Sequence, residues 1–186
     1  MRWVFFASLP GAYFRKLGWG TKFFGRVRFG SVEGNISIGR YCYVGHDVMF
    51  SCSRGAEIQM QDGGSFNTGC HVVAIYGIAI GPNSTFGEYC SIRDQNHKFD
   101  SVETPVSKQG YFGSPIKIGR DVRIGRGVYI GPGVEIGDCA VVGPNSVVTK
   151  NIPPLAIAVG SPARVVGMRG DSNGARQNTV AITART

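Results

Sequence analysis

A single histidine stands where an otherwise regular sequence becomes irregular. His97 lies in the segment CSIRDQNHKFDS, residues 90–101, and shares this irregular region with Asp94, Asp100 and Glu103. An imidazole has an ordinary pKa of about 6.5, so at neutral pH it can accept the proton of a hydroxyl group that attacks a carbonyl carbon. The segment therefore indicates a general base. An exposed histidine that performs no chemistry is the alternative.

The remaining histidines and the cysteines are not spaced as a metal site. The five cysteines are odd in number and include no CxxC pair, which argues against a disulfide framework and against structural zinc. His46 fits a surface residue, whereas His71, which follows FNTGC, is a candidate neighbour of the site. We expect no metal. Free cysteines favour a reducing compartment such as the cytoplasm.

The elements that must position His97 repeat with a period of six residues. An aliphatic residue recurs at positions 118, 124, 130, 136, 142 and 148, and glycine follows the first five. The same phase appears in residues 38–49 and 80–91. The fifth residue of each hexad is small or β-branched, and on a strand it points to the same side as the aliphatic residue two positions later. One large and one small side chain per hexad fill a narrow core.

This period predicts an all-β fold in which very short strands coil and stack. Glycine, asparagine and aspartate between the strands adopt turn conformations that other residues resist. A β-sandwich is the alternative, but its turns recur about every 8–12 residues, which does not fit. Between Ile92 and Ile116 the hexad phase is lost, and we expect residues 93–115 to form a loop that projects from one coil.

The hexads, the segment NHKFD and the stretch VTKNIPPLAIAVGSPARVVG, residues 148–167, resemble the hexapeptide-repeat acyltransferases. The resemblance implies a left-handed parallel β-helix with three flat faces over residues 27–166. Within the family, the sequence most resembles the subfamily that acetylates sugars, which includes galactoside and maltose acetyltransferases. The implied donor is acetyl-CoA, and the implied acceptor is a sugar hydroxyl of a glycan or glycan precursor. The implied assembly is a homotrimer with grooves between subunits.

The same resemblance assigns roles to individual residues. It implies His97 as the catalytic base, and Asn67 and Asp94 as residues that contact the acceptor. A plain corner residue is the alternative for Asn67, and whether Asp94 or a main-chain carbonyl orients the imidazole is left open. The implied donor-binding residues are Gly125, Arg126, Pro144, Lys150 and Arg164, with an oxyanion-binding N–H at Gly125–Arg126. Arg123 departs from the family, since many sugar acetyltransferases have an aromatic residue there.

The net charge of +8 predicts an anionic partner: nucleic acid, an acidic membrane surface or a phosphorylated small molecule. No recognition helix or zinc finger is visible and the charge is spread through the repeats, so we expect no nucleic acid. The phosphates of acetyl-CoA fit the charge. Two other functions stay open: N-acetylation of an amino sugar or an antibiotic, and a non-catalytic β-helix scaffold.

The two flanks differ from the repeats. Residues 1–26 interleave aromatic and basic side chains, and we expect a short helical or irregular segment packed on the domain or, alternatively, a peripheral contact with the inner membrane surface. The apolar run in this segment is too short to span a bilayer. Residues 167–186 are polar and lack the period, which predicts a flexible tail.

Overall fold

A computed structural model describes residues 13–171 and consists almost entirely of short strands. The chain runs in turn through three sheets, here called faces A, B and C, and then returns to face A one coil further along. Successive coils pair in parallel, which makes a three-sided β-solenoid with six strands on face A. The predicted fold of stacked hexad coils is confirmed.

The strands are named in chain order. Face A contains β1 Lys16–Leu17, β4 Asn35–Ile38, β7 Glu57–Met60, β10 Ile78–Ile80, β15 Ile116–Ile118 and β18 Glu135–Ile136. Face B contains β2 Lys22–Phe23, β5 Tyr43–Val44, β8 Ser65–Phe66, β11 Thr85–Phe86, β16 Arg123–Ile124, β19 Val141–Val142, β21 Ala156–Val159 and β22 Arg164–Met168. Face C contains β3 Arg28–Val32, β6 Met49–Cys52, β9 His71–Ala74, β12 Ser91–Arg93, β17 Tyr129–Ile130 and β20 Val147–Val148. A hairpin of β13 Gln95–His97 and β14 Tyr111–Gly113 and a 3₁₀ turn at Val106–Lys108 project from the coils.

Equivalent hexad positions stack directly on one another. On face A, Ile78 of β10 pairs with Ile58 of one neighbouring coil and with Ile116 of the other. The pairing is parallel on all three faces except at β21 and β22, which are antiparallel. Because the register is kept from coil to coil, inward positions form continuous rows and the aliphatic residue of every hexad is buried.

The core is a narrow column of these inward rows. Phe66 lies at its centre with no exposed surface, and its ring centroid is 4.8 Å from that of Phe86 and 5.8 Å from that of Phe50. Ser84 is also fully buried, and its hydroxyl donates to the carbonyl of Gly119 at 2.7 Å. A small polar residue thus fits inside because it bonds the backbone of the next coil.

The solenoid begins earlier than the sequence predicted. β1 pairs with β4 and β2 pairs with β5, so the described part of the N-terminal segment forms the first coil, where the sequence suggested a separate helical or irregular piece. The first coil departs from the hexad pattern because Phe23 and Phe29, which pair with Val44 and Phe50, are aromatic and only partly buried. Residues 1–12 and 172–186 lie outside the described residues, and with them most of the predicted tail.

Replacing Phe66 with alanine should destabilise the protein by about 3–5 kcal/mol, because the cavity opens in a column that cannot collapse around it. Urea unfolding of the Phe66→Ala protein would measure the loss. Tyr89→Ala is the matched control: this ring is 63% exposed, and we expect a change of less than about 1 kcal/mol. Equal losses in the two variants would contradict the core assignment.

Candidate active site

The irregular segment around His97 is an ordered hairpin that projects from the edge where face C meets face A, here called the C–A edge. In the antiparallel pairing of β13 and β14, His97 lies opposite Tyr111 and Gln95 lies opposite Gly113. Beyond the strands, the side chain of Gln109 accepts from the N–H of Ser101 at 3.0 Å and donates to its carbonyl at 2.8 Å. These bonds hold the loop together, so His97 is carried on a defined support.

The imidazole of His97 is half-buried against the ring of Tyr111, with 4.4 Å between ring centroids. Its Nδ1 atom is buried and has no hydrogen-bond partner among residues 13–171. Nε2 also bonds no described residue, but it is not enclosed, so it is the ring nitrogen that a second molecule can reach. The sequence did not indicate Tyr111, since no periodic pattern covers the hairpin.

Asp94 lies at the base of the hairpin and has no exposed surface. Its carboxylate accepts the backbone N–H groups of Ile75, Tyr76 and Gly77 at 2.6–3.1 Å. The sequence placed Asp94 beside the acceptor or on the imidazole. In the described chain its oxygens bond backbone donors and not the imidazole, and its side chain is closed to solvent.

Asn67 and Gly125 lie on another edge, where face B meets face C, here called the B–C edge. Gly45, Asn67, Gly87, Gly125 and Gly143 occupy the same position in successive coils and donate their N–H groups to the next coil at 2.8–3.0 Å. Asn67 therefore carries a side chain at a position where the neighbouring coils have glycine. This edge therefore brings Asn67, a predicted acceptor residue, into one line with Gly125, a predicted donor residue.

The stack at Gly125 leaves no room for larger residues beneath it. A Cβ atom added to Gly87 would lie 2.5 Å from the backbone nitrogen of Arg126, and one added to Gly125 would lie 2.6 Å from that of Pro144. The N–H of Arg126 has no acceptor among the described residues, and the Arg126 side chain is exposed. Gly125, Arg126 and Pro144 are thus gathered at one corner, with an available N–H donor.

The other two predicted donor-binding residues lie elsewhere. Lys150 follows β20 and stands on the C–A edge, the edge that carries the hairpin, whereas Arg164 begins β22 near the C-terminal end of face B. Both side chains are exposed, and neither forms an ion pair within residues 13–171. The structure therefore spreads the five predicted residues over three places around the last coils.

Residues 115–150 match the protein family described as bacterial transferase hexapeptide (six repeats). A solved maltose O-acetyltransferase of Clostridium difficile is 32% identical with a TM-score of 0.52, over 81% of this chain and 70% of that one. A solved galactoside acetyltransferase in complex with coenzyme A is 31% identical with a TM-score of 0.51, over 83% of this chain and 68% of that one. This chain belongs to the hexapeptide-repeat acyltransferase family.

Two curated relatives of this hexapeptide-repeat protein also match parts of it. A probable acetyltransferase of Mycobacterium tuberculosis is 35% identical over 92 residues, which are 50% of this chain and 31% of the relative. Nodulation protein L of Rhizobium meliloti is 39% identical over 118 residues, which are 63% of each chain. The hexapeptide-repeat chain thus spans less than two thirds of either relative's length.

Face C of the hexapeptide-repeat solenoid, between the two edges, carries a basic cluster in which His71 has two arginine neighbours that the sequence did not indicate. His71 on β9 is adjacent to Ser91 of β12, and Arg93 lies two residues further along that strand. On the other side of His71, Met49 of β6 is its neighbour, and Arg28 of β3 is the neighbour of Met49. Burial, and then the charges of Arg93 and Arg28, lower the pKa of His71. Extending the hexad register across face C would have brought these residues together.

Within residues 13–171 of this family member, no group of three or more His, Cys, Asp or Glu side chains is arranged to hold a metal ion. No helix in the same range has both the length and the apolar character needed to cross a membrane.

Protonation of His71 should destabilise the fold. Because its folded-state pKa lies below the unfolded value of about 6.5, the unfolded chain binds more protons between the two values, and the free energy of unfolding rises with pH there. His71→Gln should flatten this rise in urea unfolding followed from about pH 5 to about pH 7. The wild-type protein, measured in the same buffers, is the reference for this slope. An unchanged slope in the His71 variant would contradict the assignment.

Proposed function

We propose that this protein is an acetyl-CoA-dependent O-acetyltransferase that acetylates a sugar hydroxyl of a glycan or glycan precursor, with His97 as general base. The observation that carries the proposal is the half-buried imidazole on the C–A hairpin, whose Nε2 is open to a second molecule. It stands on a fold whose solved relatives include a maltose O-acetyltransferase and a galactoside acetyltransferase in complex with coenzyme A.

The reaction needs a base that removes the proton of the sugar hydroxyl and later gives a proton to the leaving thiolate. Nε2 of neutral His97 takes the proton of the sugar hydroxyl as the hydroxyl oxygen bonds to the thioester carbon. The carbonyl oxygen becomes an oxyanion until the carbon–sulfur bond breaks. The thiolate of CoA then leaves and receives the proton from the imidazolium, which restores neutral His97. No other acid or base is required.

Exposed groups on the C-terminal coils are suited to the oxyanion and to the phosphates of acetyl-CoA. The unpaired N–H of Arg126 can donate to the oxyanion, a contribution of about 10²–10³ in kcat where such donors have been removed in other enzymes. The exposed Arg126, Lys150 and Arg164 side chains are suited to the phosphates of acetyl-CoA, and only arginine can bind a phosphate through two parallel bonds.

Two observations favour a site shared between subunits of a homotrimer. Within one chain the Asn67 edge and the hairpin are separated by the four residues of β9, about 13 Å at about 3.3 Å per residue. The hairpin also exposes Phe99, Val102, Tyr111 and Phe112, with between 43% and 101% of each side chain accessible. A second subunit that places its B–C edge against this hairpin would complete the site and cover these side chains.

His97→Ala should lower kcat for acetyl transfer by about 10²–10⁴ while CoA still raises the melting temperature, because the base is lost and the donor site is kept. Thiol release from acetyl-CoA, with neutral sugars and amino sugars as acceptors, would measure turnover and distinguish O- from N-acetylation. His46→Ala is the matched control and should retain activity. Wild-type turnover in the His97 variant would refute the mechanism, and the absence of a CoA shift in the wild type would favour a scaffold.

Mixed trimers should recover activity from two inactive chains. One chain carries His97→Ala and lacks the base. The other carries Asn67→Ala with Arg126→Glu and lacks the side chains with which the B–C edge contacts the acceptor and the phosphates. After co-expression at equal amounts, about a quarter of the interfaces would combine two intact edges. Turnover measured on purified mixed trimers should therefore exceed that of either parent. Mixed trimers no more active than the parents, or an active monomer by sedimentation, would contradict a shared site.

A further inference from the structure

The base of the hairpin contains a buried acid that the mechanism above does not use. The Asp94 carboxylate is closed to solvent, and its Oδ2 accepts from Tyr76 at 2.7 Å and from Gly77 at 2.6 Å, while Ile75 donates to both oxygens. Three successive N–H groups that converge on one carboxylate form a strong anion-binding concavity. These bonds link two neighbouring coils, since Ile75–Gly77 is the C–A corner of the preceding coil.

The same residue also joins the two ends of the hairpin. The carbonyl of Asp94 accepts the N–H of Ser114 at 3.0 Å, and the carbonyl of Gly77 accepts the N–H of Ile116 at 3.0 Å. Gly113 fits between them without a side chain, because an added Cβ would meet the Asp94 carbonyl and the Tyr76 ring. The departing strand, the returning strand and the corner of the preceding coil are therefore held at one point.

Asp94 does not act on the imidazole directly. The Nδ1 atom of His97 has no partner within the described chain, and all four side-chain bonds of Asp94 go to the backbone of Ile75–Gly77. Its effect on His97 must pass through the three-residue strand β13, which starts directly after Asp94. The imidazole lies about 10 Å from this base along the strand, so a small rotation at the base displaces it. A displacement of about 1 Å can lower the rate by about 10².

We propose that Asp94 is a positioning residue for the general base: it holds the base of the hairpin against the preceding coil and thereby sets where Nε2 of His97 meets the acceptor hydroxyl. This rests on the proposed role of His97. A carboxylate suits this corner better than an amide, because an amide oxygen placed at the Oδ2 position would leave the amide NH2 facing the N–H of Ile75, which donates to both carboxylate oxygens.

The experiment compares Asp94→Asn with Ser84→Ala. Ser84 is also fully buried and also bonds backbone groups, Gly119 and Val122, but it lies at the opposite corner of the coil, where face A meets face B. Asp94→Asn should lower kcat by at least about 10-fold with the KM for acetyl-CoA within about 2-fold of wild type. Ser84→Ala should lower the melting temperature and leave both constants near wild type.

The double variant Asp94→Asn with His97→Ala separates positioning from general damage. If Asp94 acts through His97, the residual turnover of the double variant should equal that of His97→Ala alone. A further loss in the double variant, a kcat for Asp94→Asn within about 2-fold of wild type, or a change confined to the KM for acetyl-CoA would each overturn the proposal. Should Asp94→Asn not fold, Asp94→Glu keeps the charge and displaces the base by one methylene, and the same criteria apply.

The outcomes for Asp94 and for the proposed function are distinct. If His97→Ala is inactive and Asp94→Asn is fully active, the positioning role fails and the general base stands. If His97→Ala retains wild-type turnover, the general base fails, and with it the reason for positioning, whatever Asp94→Asn does.

Discussion

The structure depends on one constraint: each coil must lie on the next with its backbone hydrogen bonds in register. At the B–C edge the coils approach so closely that Gly87 and Gly125 have no space for a Cβ atom. The inward rows of aliphatic residues and the Phe50, Phe66 and Phe86 column follow from the same register, because equivalent side chains must share one narrow interior. The six-residue repeat in the sequence is a consequence of this requirement.

An insertion into such a rod must leave and return without disturbing the register. The hairpin does so, since β12 pairs with β17 and β10 pairs with β15 across it as if the insertion were absent. Asp94 makes this possible by binding the N–H groups of the preceding corner, which would otherwise be left unpaired beside the insertion. The fold can therefore carry chemistry at an edge while its core stays regular.

Ion pairs recur along one edge of the solenoid. Along the A–B edge, arginines are paired with carboxylates: Arg40 with Asp62 at 2.8 Å, and Arg120 with Asp138 at 3.0 Å. Arg93, Arg126 and Lys150 form no ion pair within residues 13–171. In the described chain, unpaired basic side chains thus lie on face C and at both of its edges, and others lie on faces A and B at Lys16, Lys22 and Arg123.

The sequence alone determined the solenoid and the place of its interruption, because every coil offers a residue the same surroundings and a period of six is visible without coordinates. It also singled out His97, Asn67 and Gly125. It could not assign them to edges or foresee that Asp94 binds the backbone of Ile75–Gly77. It also did not reveal the first coil, in which the partly buried Phe23 and Phe29 take the hexad positions. Those features depend on contacts between residues at least 17 positions apart, which only the tertiary register brings together.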